Sequence, residues 1–191
     1  MVDFPQITKS KLRRKLLTYF FANPNVSLYV REASSILKED AGNLSKELLR
    51  LENQGIFISN TRGRQKYFSL NREYSLFKEL KSVVSKTVGI EGSLKEIVNL
   101  DSGIKIVFIY GSFTQDREII SNDIDLLIIG KPDENKLMEK IDALEENLGR
   151  EINFSIYSEK DFAEGRKNKN SFILNILKRP KIFLKGNLNG L

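Results

Sequence analysis

The sequence predicts an α/β (α+β) protein made of two modules joined by a helical connector. Three observations lead there. The excess positive charge is confined to residues 1–75. The pattern before residue 72 reads as three helices closed by a short β-hairpin. After residue 103, β-branched apolar runs accompany a glycine-serine turn and two closely spaced aspartates, as in a mixed sheet with flanking helices. The expected division is 1–72, a connector over 73–102, and 103–191.

The 191 residues are 40% hydrophobic and 29% charged, enough for one large core or two small ones. There is no cysteine and no histidine. Zinc ribbons, thiol nucleophiles, disulfide scaffolds and imidazole acid/base chemistry are therefore excluded. Carboxylates, hydroxyls, amines, backbone groups and bound metal remain, a set suited to phosphoryl transfer on Mg²⁺. No apolar run reaches the roughly 18 residues of a membrane span. The first residues carry an acid at Asp3 and no apolar stretch of signal-peptide type. A cytoplasmic location without a membrane partner is the expectation.

The net charge is +6. Residues 1–75 hold 13 Lys+Arg against 7 Asp+Glu, whereas 76–191 hold 18 against 18. A basic unit joined to a neutral one points the first toward a polyanion; the bland alternative is solubility.

Within the first module a helical pattern opens after Thr8 or Ser10, with Leu12, Leu16, Leu17 and Phe20 at three- and four-residue steps. It stops at Asn23-Pro24-Asn25, a turn signal. A short segment, Val26 to Val30, leads into a second helix from about Arg31 to Leu37. The third helix, about Ala41 to Asn53, has Asp40 or Asn43 as candidate cap, an apolar stripe of Leu44, Leu48 and Leu51, and Gly55 as terminator. Residues 56–60 and 65–70 then form two short strands around the turn at 61–64.

Three helices followed by a hairpin, with the passage Leu48-x-x-Leu51-x-x-x-Gly55-Ile56-Phe57, resemble a winged helix-turn-helix over residues 9–71. The resemblance implies a third helix in the major groove of duplex DNA and a wing on the backbone. Asn43, Ser45 and Lys46 would then reach base edges, and Arg50 would contact backbone. Arg62, Arg64 and Lys66 alternate around the wing and would contact phosphate or the minor groove. The competing reading is a protein-interaction module in which each of these residues lies on a solvated face.

The connector reads as two helices split by Gly89-Ile90-Glu91-Gly92. Leu76, Leu80, Val83 or Val84, and Val88 form one stripe; Leu94, Ile97 and Val98 form the other. Either stripe packs within the chain or meets a second copy in a homodimer.

In the last module, residues 104–110 form an apolar strand ending at Gly111-Ser112. Asp123-Ile124-Asp125 opens a second run, Leu126 to Ile129, which stops at Gly130. Residues two apart on a strand share a face, so Asp123 and Asp125 stand roughly 6 to 7 Å apart at Cα. Adjacent anions at that spacing call for a hard divalent cation with oxygen ligands, most naturally Mg²⁺. Gly111 permits close backbone approach to phosphate, and Ser112 offers an N–H and a hydroxyl. Lys131 and Arg117 are further candidates for phosphate, with nothing to distinguish them from other surface cations.

Tyr110-Gly111-Ser112, a ten-residue gap and Asp123-Ile124-Asp125-Leu126-Leu127 resemble the DNA polymerase β nucleotidyltransferase superfamily, near its minimal members. The resemblance covers about residues 104–191. It continues through Gly149 to Tyr157, Glu159 to Phe162, and Asn170 to Gly186, a tail similar to regulators that join a winged helix to such a domain. It implies two-metal transfer of a nucleoside monophosphate from NTP to a hydroxyl, with Asp123 and Asp125 on Mg²⁺ and Gly111 and Ser112 on the phosphates.

A third carboxylate on a neighbouring strand normally completes such a site. Here Asn153 stands in the position of that aspartate, with Glu151 one pleat repeat away on the same face. Either Glu151 substitutes as a catalytic carboxylate, or it pairs in solvent with Arg150 or Lys160. The leading expectation is a DNA-binding transcriptional regulator whose second domain binds Mg–NTP. The alternative is a minimal, antitoxin-like nucleotidyltransferase modifying an RNA or a toxin-like protein partner. An inactive interaction scaffold is the third.

Overall fold

The computed structural model describes residues 10–115 and 123–189 and has the mixed α/β character expected, with two separate sheets. Two compact units divide the chain. One runs through Gly92, and the other comprises chiefly Ser93–Glu146 and Arg150–Leu191. No helix among the described residues is long and apolar enough to cross a membrane.

The first unit begins with α1 (Lys11–Ala22), capped by the Ser10 side chain, which accepts the Arg13 N–H; Thr8 lies outside the described residues. After β1 (Leu28–Tyr29) and α2 (Val30–Leu37) comes α3 (Ala41–Asn53). Of the two candidate caps for α3, Asp40 takes the role, its carboxylate accepting the Asn43 N–H at 2.8 Å. Gly55, at φ 76, ends the helix in the left-handed region, and Ile56 N–H returns to the Leu51 carbonyl at 3.0 Å.

The strands β2 (Phe57–Arg62) and β3 (Gln65–Leu70) pair antiparallel, and β1 adds to the far side of β3. Arg62 pairs with Gln65, leaving a two-residue turn, Gly63-Arg64. Gly63 has φ 61, and a side chain there would meet nothing within 4 Å, so dihedral freedom alone favours glycine.

The core joins Leu16, Leu17 and Phe20 of α1 to Leu44, Leu48 and Leu51 of α3 and to Phe57 and Phe68 of the hairpin. The same core takes in Leu80 and Val84 of α4 (Phe77–Thr87). The apolar stripe of that helix is thus spent within the chain, with only Leu76 left exposed. The expected break at 89–92 is shorter than the sequence indicated, because α5 spans Ile90–Asn99 and contains Gly92. A side chain at Gly92 would run into the Thr87 carbonyl, so close packing rather than helix termination explains this glycine.

In the second unit the sheet order is β6-β5-β4-β7, comprising β4 (Ile104–Tyr110), β5 (Ile124–Gly130), β6 (Ile152–Tyr157) and β7 (Ile182–Lys185). The central pair β4–β5 is antiparallel, as is β4–β7. β5 and β6 run parallel, which requires the crossover helix α6 (Glu134–Leu148) between them. α7 (Glu159–Lys167) and α8 (Ser171–Lys178) contribute Phe162, Ile173 and Ile176 to a core with Ile106, Phe108, Leu127 and Ile129. Every residue of β5 is buried except Asp125.

Candidate functional site

Strand register builds the carboxylate site. Tyr110 pairs with Asp125 across β4–β5, and Asp125 pairs with Asn153 across β5–β6. Directly paired residues share a face, so tyrosine, aspartate and asparagine stand in one row across three strands. The turn after β4 brings Gly111 against this row. It adopts φ 82, and a Cβ there would collide with Asp125 Oδ2. The two halves of the motif, separated in sequence, are therefore in contact. Ser112 opens a 3₁₀ turn (Ser112–Gln115), and Thr114 steadies it by donating its hydroxyl to the Gly111 carbonyl at 2.8 Å.

Electrostatics separate Asp125 from an ordinary surface acid. Partial burial pushes its carboxyl above the usual value, the negative Asp123 pushes it further, and Arg179 opposes both. Tyr110 is also pushed up, first by burial and then by the charge of Asp125, while a hydrogen bond with Ser155 opposes the shift. Burial pushes the Arg150 guanidinium down, and Asp123 opposes that. A partly buried carboxylate pushed up further by a neighbouring one suits a nearby cation, and carboxylate oxygens suit a hard divalent ion.

Asn153, the register partner of Asp125, adds an uncharged amide oxygen to the ligand types available beside the two carboxylates. Among the described residues no group of three or more His, Cys, Asp or Glu could hold a metal. Glu151 lies at this end of the sheet, its carbonyl accepting the Ile124 N–H at 2.9 Å, but its side chain is exposed and forms no such group with the aspartates. Lys131 lies beyond the opposite end of β5, roughly 20 Å from Asp125 at the usual rise per residue, too far to share a phosphate. Arg117 lies outside the described residues.

Sequence reasoning missed Arg150 and Arg179 as the cations flanking the pair, and Thr114 and Tyr110 as its supports. Arg150 adjoins β6 and was within reach of the pattern. Arg179 comes from the end of α8 and carried no local signal.

The polar residues of the first unit distribute less evenly. Asn43, Lys46 and Arg50 follow one another at three- and four-residue steps and are all exposed, forming a stripe on α3. Ser45 is half-buried and sits about 100° around the helix from Lys46, off that stripe. Arg62 and Arg64 are exposed at the hairpin tip, and Arg62 stacks over the Tyr67 ring at 5.1 Å. Lys66 behaves differently from the expectation. It pairs across from Thr61 on the side of Phe57 and Phe68, and its ammonium is held by Glu52 at 2.7 Å. Its charge is already partnered, because strand alternation turns it away from the face of Arg62.

Glu47 was not foreseen. It is 4% exposed on α3, accepts from Arg13 Nε at 2.5 Å, and lies 3.5 Å from an Arg50 terminal nitrogen.

A family model described as Polymerase beta, Nucleotidyltransferase matches residues 92–187. No curated protein and no solved structure matches the chain.

Proposed function

The chain belongs to the polymerase beta nucleotidyltransferase family, and on that premise we propose that its second unit binds a Mg²⁺–nucleoside triphosphate and that its first unit is a winged helix-turn-helix gripping duplex DNA. The protein is then a nucleotide-responsive DNA-binding regulator. The supporting observation is the meeting of Gly111 with Asp125 beside Asp123, a built anionic site whose ionisation is costly until a cation arrives. When bound, Mg²⁺ supplies positive charge that offsets the carboxylates and the triphosphate together. Asp123 and Asp125 hold the ion, Gly111 leaves room for phosphate, and Ser112 donates to a phosphate oxygen. In the first unit Asn43 and Lys46 address base edges, with Arg50, Arg62 and Arg64 on phosphates.

A second reading, nucleotidyl transfer to an RNA or protein hydroxyl, is supported by the family match itself. It requires a group to accept the proton of the acceptor hydroxyl. Asn153 has no basic oxygen for that purpose, which leaves Glu151 as the candidate.

Calorimetric titration of Mg²⁺ with each NTP tests the nucleotide site. Micromolar binding is expected in the native chain, with a loss of about a hundredfold or more in Asp123→Ala/Asp125→Ala. Absence of binding to every Mg²⁺–NTP refutes it. Salt-sensitive duplex binding that survives Lys46→Ala/Arg62→Ala/Arg64→Ala refutes the DNA assignment.

A further inference from the structure

The second unit holds a cavity of about 240 Å³ between the end of α5, the loop before β4 and the first turns of α6. It lies at the opposite end of the sheet from the aspartates. Ser102 lies just ahead of β4 and Asp133 just beyond β5, and Ile104 pairs with Gly130 where the two strands meet. The length of β4, roughly 20 Å at the usual rise per residue, separates this corner from Gly111.

Backbone contacts fix the frame of the cavity. Asp101 Oδ1 accepts the Gly103 N–H at 2.8 Å and Oδ2 accepts the Asp133 N–H at 2.9 Å, tying the loop before β4 to the one after β5. Lys185 Nζ donates to the Asp101 carbonyl at 2.9 Å. Gly103 closes the same corner, where a Cβ would run into the Lys131 carbonyl.

The polar groups lining the cavity sort into a committed pair and a set left over. Lys136 Nζ is held by Asp133 at 2.8 Å. Lys140, one turn further along α6 and half-buried, has no hydrogen bond or ion pair among the described residues, and neither has the exposed Ser102 hydroxyl. Each Asp101 oxygen has accepted one N–H, which leaves the carboxylate capacity for a further donor. Ile97 and Leu137 supply apolar lining, and Leu100 beside them is 74% exposed, a leucine left largely uncovered.

We infer that this cavity binds a free α-amino acid with an aliphatic side chain. Lys140 and Ser102 donate to its α-carboxylate, Asp101 accepts from its α-ammonium, and Ile97, Leu100 and Leu137 cover the side chain. Charge and size decide against the neighbouring chemistries. The lining holds two Lys and two Asp, so a zwitterion answers both signs, whereas a simple anion meets the aspartates with nothing to offer them. The volume falls below the roughly 300 to 1,000 Å³ of pockets for drug-sized ligands, too small for a nucleoside triphosphate. It equals the liquid volume of about eight waters, close to the heavy-atom count of leucine. The inference goes beyond the nucleotide-site reading and does not rest on it.

The test is calorimetric titration of the full chain with L-leucine, L-isoleucine, L-valine and L-methionine in turn. At least one binds with a dissociation constant of about 1 mM or below, as suits a ligand of so few atoms. Lys140→Met keeps the aliphatic stem, removes the ammonium and weakens that complex about tenfold or more. Ser102→Ala, at an exposed loop position, weakens it about threefold, and circular dichroism checks that both variants fold. Isocaproate and isoamylamine, each lacking one charge of leucine, bind about tenfold more weakly than leucine or worse. The inference is overturned if none of the four amino acids binds at up to about 10 mM, or if Lys140→Met binds them as the native chain does. Isocaproate or inorganic phosphate binding as tightly as the amino acids also overturns it, assigning the cavity to a simple anion. Amino-acid binding persists in Asp123→Ala/Asp125→Ala, and Mg²⁺–NTP binding persists in Lys140→Met, so failure at either site is read separately.

Discussion

Glu47 in the first unit and Asp125 in the second are carboxylates withdrawn from water and solved in opposite ways. Glu47, almost wholly buried, has a guanidinium at 2.5 Å and a second cation nearby. Asp125 is less deeply buried, yet its carboxyl is pushed up, first by that partial burial and then by the second carboxylate beside it, with Arg179 only partly compensating. Burial by itself does not mark a functional acid. A carboxylate whose charge is answered within the chain joins α1 to α3; one only partly answered is the one to which the proposed function assigns a cation.

The sharpest way to break this contrast is Glu47→Ala. It removes the carboxylate to which Arg13 Nε donates in a largely buried position and is expected to cost about 3 kcal/mol in urea-induced unfolding of the first unit. A loss under about 0.5 kcal/mol, the level of an exposed pair, would remove Glu47 from its structural role.

The two glycines of the sites come next. Gly63→Ala introduces only left-handed strain and is expected to cost about 1 kcal/mol, because the space around it is open. Gly111→Ala adds a collision with Asp125 Oδ2 to the same strain and is expected to cost about 2 kcal/mol or more, together with Mg²⁺–NTP binding. Equal losses at the two positions would mean that the Gly111–Asp125 contact does not shape the site.

Asp125→Asn has the smallest expected effect and the most informative sign. Because the folded carboxyl is raised above its ordinary value of 3.8, folding favours the protonated form. That contribution is fully present below the unfolded value and is lost as pH rises through the folded one. Without Mg²⁺ at neutral pH, Asp125→Asn should therefore raise the melting temperature slightly and flatten its fall with pH. With Mg²⁺–NTP present, the native chain should gain stability and the variant should not. A variant that melts lower at neutral pH without Mg²⁺ would show that Asp125 is a stabilising structural charge like Glu47.

Much of the candidate site was legible because its signals are local. Asp40 caps α3 and Gly55 ends it, as side-chain and dihedral chemistry require within one turn. The strand alternation expected for Asp125 and Asn153 holds, and register pairs the two, whereas Asp123 and Glu151 each immediately precede the strand they were expected to belong to. Gly92 was misread because a glycine required by contact with Thr87 looks the same in sequence as one that ends a helix. Lys66 was grouped with Arg62 because charge at a hairpin tip is visible in sequence, whereas the face of the hairpin that each residue occupies depends on register.

The sequence by itself determined the chemistry available and the order of the elements. It left a kit without imidazole or thiol, concentrated the net charge in the first module, and placed a glycine turn ahead of two aspartates. Composition and short-range periodicity carry that information residue by residue. Only the tertiary structure decided which charges are spent and which are left over. It paired Glu47 with Arg13 across thirty-four positions, set Arg179 against Asp125, and aligned Tyr110 and Asn153 on either side of that aspartate. Pairing energies fall steeply with distance and depend on local burial, so they belong to neighbours in space that the linear order does not specify.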